Sequence, residues 1–525
     1  MLVLPEKKAL VLRLRDPSVV TNVIPSAKRI VVKDKEFVAV PHGVLETRVL
    51  ANLGLDPPAP IRSQYSWPGR YKPFQAQRDA AAFLSLHHRA FNLSEIGTGK
   101  SLSALWAYDY LRESGQANKL LVIAPLSTLE RTWADEVFQH FSHLTCAVLH
   151  GTRDRRLKLL ETDVDIYIIN HDGVKVVEPA LRDREDIDLV VIDEIAQVAR
   201  NRRTDRWKVL NSVVNGHKKS RSAWGMTGTP TPNEPLDAWA QCRLIVPKNV
   251  TPYQTKFRDM VMRKFGPFTW LPRSNATEIV HSVMSPAVRF TRDECLDLPP
   301  IMFETRHVGL SKAQAKAYKQ MMNELHAEID SGAVTAVNAA VKMSKLVQIA
   351  CGIAYGDSGE ELHLDPADRV AEVKDIITSA EGKVIVFAPF VATVEMLHKT
   401  LNHGGKNVAA MIHGGVGKSQ RDQIFHDFQR APDPRVLVAQ PAAMSHGLTL
   451  TAASTIVWYA PTTSNETFEQ ANGRINRPGQ KMNNFIIMLE GSPIERRIYQ
   501  RLENKQKVQN TLLDIVKEER GGHIR

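Results

Sequence analysis

Short apolar runs without strict alternation, separated by helical stretches, constrain this 525-residue chain most tightly. LLVIAP (120–125), DIYIIN (165–170), DLVVIDE (188–194) and SAWGMTG (222–228) form one series. KVIVFAP (383–389), VAAMIHG (408–414), RVLVAQP (435–441), STIVWYAP (454–461) and NFIIMLE (484–490) form another. A strand with one wet face alternates apolar and polar residues. A strand buried on both faces does not, and such strands belong to parallel sheets covered by helices. Two series therefore predict two α/β layered units.

The rest of the chain divides around them. Residues 1–60 read as a small β-rich unit, with ALVLRLR (9–15) and RIVVKDKEFVAV (29–40) as its strands. Lys33-Asp34-Lys35 is placed to turn the second into a hairpin. The stretch 54–73 holds five prolines and reads as a linker. The expected domains are 1–60, a first α/β lobe over 61–245, a mostly helical joining region over 246–370, a second lobe over 371–505, and a tail over 506–525. Ser311 and Gln314 form a capping box ahead of one helix, and Ser492-Pro493 opens the last.

Composition narrows the class. No apolar run approaches the roughly 20 residues of a membrane span, and charges interrupt the apolar part of the first fifteen residues, unlike a secretory signal. The four cysteines have no paired spacing, which argues against a zinc site or a disulfide framework. A cytoplasmic or nucleoid-associated protein is expected. The net charge of +11 suits a polyanionic partner, nucleic acid first.

Three stretches carry chemistry. In 94-SEIGTGKS-101 the core Gly97-Thr98-Gly99-Lys100-Ser101 stands between an apolar stretch and a helix. Glycines let backbone N–H groups converge on phosphate oxygens, the helix start adds a positive dipole end, and lysine adds a charge. The Ser101 hydroxyl suits magnesium. The usual first glycine is replaced by Ser94. Asp193 and Glu194 follow the run LVVI. There an aspartate can hold magnesium, and a glutamate can orient or deprotonate water. In 470-QANGRINRPGQ-480, Arg474 and Arg477 share a face if the stretch is helical. The bland alternatives to these, each taken in isolation, are a glycine-rich turn, an acidic helix start and a solvated charged helix. Thr227 and Thr229, after the strand AWGM, would be a plain turn. Of the basic clusters, Arg200–Arg203 with Arg206 can face DNA or form a solvated loop. Arg153, Arg155, Arg156 and Lys158 read as a solvated helix face, and His87-His88 as packing residues.

Taken together and in order, these stretches resemble the Swi/Snf-type ATPases of helicase superfamily two, particularly the compact phage and bacterial members. The resemblance covers roughly residues 70–510. LLVIAPLSTLERTWADEVFQHF (120–141) is similar to motif Ia, TGTPTPNEPLDAWAQCRLI (227–245) to motif III, KVIVFAPFVATVEML (383–397) to motif IV and QANGRINRPGQ to motif VI. CLDLPPI (295–301) and KLVQIACG (345–352) resemble the region joining the lobes. PFQAQRDAAAFL (73–84) resembles the element that holds adenine, with Gln75 as its reader.

The resemblance implies two RecA-like lobes with ATP and magnesium between them, and a DNA-dependent ATPase that moves along duplex or branched DNA as a monomer. It implies catalytic roles for Lys100, Asp193, Glu194, Arg474 and Arg477, and magnesium on Ser101 and Asp193. DNA contacts would come from Pro125, Ser127, Thr128, Thr229, His413, Gln440 and Ser445. Thr227, Thr229 and Gln470 would couple the two sites. Departures are Ala196 for the histidine of motif II, Met444-Ser445 for paired glycines and Thr449 for asparagine in motif V, and Asn476 for a histidine in motif VI. Competing readings are a strand-separating helicase on DNA or RNA and an ATP-switched clamp. The N-terminal unit would be a DNA-structure reader or a cap on the first lobe.

Overall fold

The computed structural model describes residues 1–504 except 219, 233, 266–269, 296–298, 331–335, 356–359, 404–407, 445–449 and 478. The chain divides into two compact units, Met1–Leu296 and Asp297–Arg525.

The first unit opens with a four-stranded antiparallel sheet in the order β1-β2-β4-β3. Its strands are β1 (Leu2–Leu4), β2 (Ala9–Leu12), β3 (Lys28–Val32) and β4 (Lys35–Pro41). Lys33 and Asp34 turn β3 into β4 with φ of 49° and 60°. A two-residue loop with both residues left-handed matches the twist of its strands. The helix after β4 ties this sheet to the first lobe. Arg48, in that helix (Val44–Asn52), donates to the carbonyls of Ser85 and Leu86 at the end of the helix Gln75–Leu86. The proline-rich stretch is packed, with Ala59, Ile61 and Tyr65 buried in the core of the lobe.

That lobe is a seven-stranded sheet in the order β13-β5-β10-β9-β6-β8-β7, parallel throughout. The strands are β5 (Arg89–Asn92), β6 (Lys119–Ala124), β7 (Cys146–Leu149), β8 (Ile166–Asn170), β9 (Ile187–Asp193), β10 (Ser222–Met226) and β13 (Ala287–Val288). A small hairpin, β11 (Met262–Lys264) with β12 (Trp270–Pro272), precedes β13. Every residue of β6 is buried, as a helix-covered parallel strand requires. Arg221 is buried and donates to the carbonyls of Leu181, Arg182, Arg184, Ile187 and Val213. Arg156 departs from the solvated face expected of it. It is buried, bonded to the carbonyls of Leu149 and Gly151 and to Asn170.

The second unit holds a six-stranded parallel sheet in the order β14-β21-β20-β17-β19-β18. Its strands are β14 (Ile301–His307), β17 (Lys383–Phe387), β18 (Ala409–Ile412), β19 (Val436–Ala439), β20 (Ala453–Trp458) and β21 (Asn484–Glu490). β15 (Ile353–Tyr355) and β16 (Glu361–His363) pair apart from it. Sequence periodicity misses β14, because this edge strand is mostly exposed and its apolar run stops after Ile301-Met302-Phe303. The capping box at Ser311 forms, with the Ser311 and Gln314 side chains each accepting the other residue's backbone N–H. The expected tail 506–525 lies outside the described residues. Among those described, no helix is long and apolar enough to cross a membrane.

A buried ion pair holds the second unit. Arg369 donates to both carboxylate oxygens of Glu495, at 2.7 and 3.0 Å, and to the Tyr459 carbonyl. Glu495 also accepts from the Gly491 amide and the Ser492 hydroxyl. Removing one member of such a pair strands the other charge in the core, at a cost of about 3–5 kcal/mol. Arg369→Ala should therefore lower the urea midpoint of this unit by that equivalent. An unchanged midpoint contradicts the role given to the pair.

Candidate nucleotide site and nucleic-acid interface

Three neighbouring strands, β5, β10 and β9, bring the first lobe's expected residues to one edge. Met226 at the end of β10 is in register with Asn92 of β5 and with Asp193 of β9. The loop after Asn92, the Thr227 turn and Asp193-Glu194 thus leave the sheet side by side. The carboxyl edge of a parallel sheet is where α/β proteins bind ligands.

The loop turns on Gly97 (φ 90°) and Gly99 (φ 79°), both left-handed, and Gly99 caps the helix Lys100–Glu113. Gly97, Thr98 and Gly99 sit at the mouth of that helix, with Ser101 in its first turn. Thr98 donates its hydroxyl to the Glu95 carbonyl. Lys100 Nζ donates to the carbonyls of Ser94 and Glu95 at 2.9 and 3.1 Å, so its charge lies over the loop. Ser94 has a use that explains the missing glycine. Its hydroxyl accepts the Phe290 amide, while Glu95 receives the Arg292 amide and gives its own to Phe290. The segment that follows β13 thus braces the loop.

Gln75 begins the helix Gln75–Leu86 exposed, its amide on Asp79 at 2.9 Å. Two residues on, Gln77 is buried, and a Cβ on Gly99 would collide with its Nε2. Its Oε1 accepts the Phe74 amide. Gln77 is thus the glutamine that packs on the loop. Its sequence signal is the capping-box spacing to Phe74, which marks a helix start and not a loop contact.

Asp193 is buried, and Oδ1 accepts the Glu194 amide at 3.0 Å, Oδ2 the Trp133 indole N–H at 3.1 Å. Burial pushes this carboxyl above the usual carboxylate range, against the opposing pull of the Lys100 charge and these two N–H groups. A buried carboxylate at the end of a strand, within reach of the Lys100 charge, suits a divalent cation. The Asp193 carbonyl accepts His171 Nε2 at 2.8 Å. Burial pulls that imidazole down to about 4, so it stays neutral with its proton on Nε2. Glu194 is left-handed at φ 48° and ψ 45°. Ala196, in place of the histidine of motif II, is buried.

Thr227 is buried, and its hydroxyl accepts the Thr229 amide at 3.3 Å. Gly228 approaches the phosphate loop closely, since a Cβ there would lie 3.2 Å from Ile96 Cγ1. Pro125 ends β6 buried, and Ser127 is exposed. Thr128 turns its hydroxyl back onto the Pro125 carbonyl at 2.9 Å, so it shapes the turn. The basic loop after motif II is partly committed. Arg200 donates to the Ala196 carbonyl, Arg206 grips Asp172 with two nitrogens, and Arg202 lies over the Trp207 ring.

In the second unit His413 and Gln440 follow β18 and β19 at one edge, with the Gln440 amide on the Pro389 carbonyl. His413 Nδ1 accepts the Gly415 amide. Ser445 and Thr449 lie outside the described residues. Gln470 sits in the helix Asn465–Asn472, bonded to Glu466. That helix stops at Gly473, so Arg474 and Arg477 do not share a helix face as the sequence suggested. Both lie in the turns beyond it. Arg474 is buried, not solvated, and Arg477 is half-buried with Nε on the Gly473 carbonyl at 3.2 Å. Gln480 pins these turns with amide bonds to the carbonyls of Thr451, Ala453 and Ile475.

The SNF2-related domain matches residues 87–353, and the helicase conserved C-terminal domain matches 368–479. Protein p41 of Acyrthosiphon pisum secondary endosymbiont phage 1 is 23% identical over 443 residues, which are 80% of this chain and 94% of that protein. The human DNA annealing helicase and endonuclease ZRANB3 is 25% identical over 466 residues, 86% of this chain. The match spans 41% of ZRANB3. The Sulfolobus solfataricus SWI2/SNF2 ATPase core in complex with dsDNA is 22% identical, with a TM-score of 0.41, over 83% of this chain and 92% of that one. The chain belongs to the SNF2-related family of helicase-like ATPases.

Proposed function

We propose that this protein hydrolyses ATP to drive its own movement along duplex or branched DNA. The observation that carries the reading is the convergence of the Gly97–Ser101 loop, Asp193-Glu194 and Thr227 at one sheet edge, within a chain of this family. Gly97, Thr98, Gly99 and Lys100 cradle the triphosphate, and Gln75 reads the base. Ser101 and Asp193 hold magnesium, which when bound supplies charge neutralisation on the phosphates. Glu194 orients the attacking water and takes its proton. Arg474 and Arg477, from the second unit, stabilise the charge that develops on the transferred phosphoryl group. Hydrolysis then depends on both units, which is what lets ATP turnover drive movement.

The DNA backbone meets Pro125, Ser127, Thr128 and Thr229 on the first unit and His413, Gln440 and Ser445 on the second. Thr227, Thr229 and Gln470 relay between the sites. Contacts of this kind read phosphates, so binding is salt-sensitive and largely independent of sequence. The name of ZRANB3, a DNA annealing helicase, supports DNA as the partner, and the protein is proposed to work as a monomer. The test is ATP turnover with and without duplex DNA, where a sharp rise supports the reading and equal rates remove it.

A further inference from the structure

We propose that Trp133 is a positioning residue that ties the Asp193 carboxylate to the segment leaving β6, so that contact with DNA there is felt at the nucleotide site. The proposal rests on the function proposed above for the DNA side, while the Trp133–Asp193 link stands on geometry.

The carboxylate of Asp193 takes two N–H groups. The Glu194 amide is the next residue's backbone N–H, which any residue but proline at 194 would supply. The Trp133 indole comes from 60 residues away. Trp133 is fully buried in the lobe's core, and its sole polar atom is a nitrogen that can only donate. A leucine or phenylalanine would fill a core position without that demand. Here the donor points at the one buried carboxylate that ends β9.

The path from β6 is short and continuous. Pro125 leads into a 3-10 turn at Leu126–Thr128, then a π-type helix at Leu129–Ala134 that carries Trp133. A π turn holds one residue more than an α turn, which rotates every later side chain by about 100° around the axis. Such turns concentrate at functional sites. The segment begins with Ser127 exposed at the surface and ends with an indole on the carboxylate. A displacement of Pro125–Thr128 when it takes up a phosphate therefore has a direct mechanical route to Asp193.

Trp133→Phe in the full chain keeps an aromatic ring and deletes the donor. Its thermal midpoint should stay close to that of the parent, and its own DNA-free ATP turnover is the baseline against which stimulation is read. Stimulation by duplex DNA should fall by about 5–150-fold, the range of typical site–site coupling. The magnesium concentration that half-saturates binding of a fluorescent ADP analogue should rise. Trp133→His, which restores a ring N–H, should recover part of both. If Trp133→Phe folds and keeps the parent's stimulation and magnesium dependence, the proposal is wrong. Amide exchange in the parent chain does not rely on a variant folding. Magnesium with ADP, against ADP alone, should alter exchange over residues 126–134, and no change there overturns the link. Should the parent itself show no stimulation by DNA, the proposed function fails, and the magnesium and exchange measurements still decide the link.

Discussion

Arg477→Ala is expected to hydrolyse ATP about 10³–10⁵ times more slowly than the parent chain, the range lost when an arginine finger is removed. Its affinity for ATP should stay near that of the parent. Arg477 is the better of the two arginines to change, for a structural reason. Arg474 is buried, so removing its side chain would leave a gap in the packed turn and mix folding with chemistry. Arg477 is half-buried, with Nε on the Gly473 carbonyl in the same turn. Gln480 and Asn472 hold that turn as well, through the carbonyls of Thr451, Ala453 and Ile475 and the Trp458 indole of β20. Binding of a fluorescent ATP analogue and single-turnover hydrolysis separate the two effects. Hydrolysis within tenfold of the parent would move the finger's role to another residue.

Glu194→Gln should lower turnover by about 10²–10⁴-fold, the usual contribution of general acid–base catalysis. Glutamine keeps the length and shape of glutamate, and nothing in the backbone forces a rearrangement. Residue 194 is left-handed, a conformation that costs a non-glycine residue about 1–3 kcal/mol and is held only where the surroundings enforce it. The amide that braces Asp193 is the backbone N–H, which the substitution leaves in place. Nucleotide and magnesium binding should therefore survive while chemistry stops. A Glu194→Gln protein that turns over normally would leave Asp193 without the partner assigned to it.

Much of the fold was legible because buried parallel strands announce themselves. LLVIAP and DLVVIDE are apolar throughout their cores, and both form central strands of the first lobe. β14 was not legible, since it lies at an edge with its side chains largely in water. At the site, residue identity pointed to the loop, but neighbours decide how it works. Ser94 looked like a defect in the phosphate loop, and its hydroxyl proves to receive the Phe290 amide from 196 residues away. Gln77 and Trp133 act through contacts that no local pattern encodes. The end of a helix at Gly473 overrode the one-face reading of Arg474 and Arg477. The five-residue core of the loop even recurs in altered form as Gly415–Ser419, ahead of the helix Lys418–Arg430. There Gly417 is extended, at φ −62° and ψ 154°, whereas Gly99 is left-handed. Glycine permits either conformation, so letters alone do not fix which one is taken.

Everything proposed for the site turns on ATP hydrolysis being coupled to duplex DNA. The decisive measurement is ATP turnover taken side by side with duplex DNA, forked DNA, single-stranded DNA, RNA and no nucleic acid. Duplex or forked DNA should stimulate turnover strongly and single strands or RNA weakly, with the effect lost as salt rises. Turnover that is the same with duplex DNA as with none contradicts the coupling.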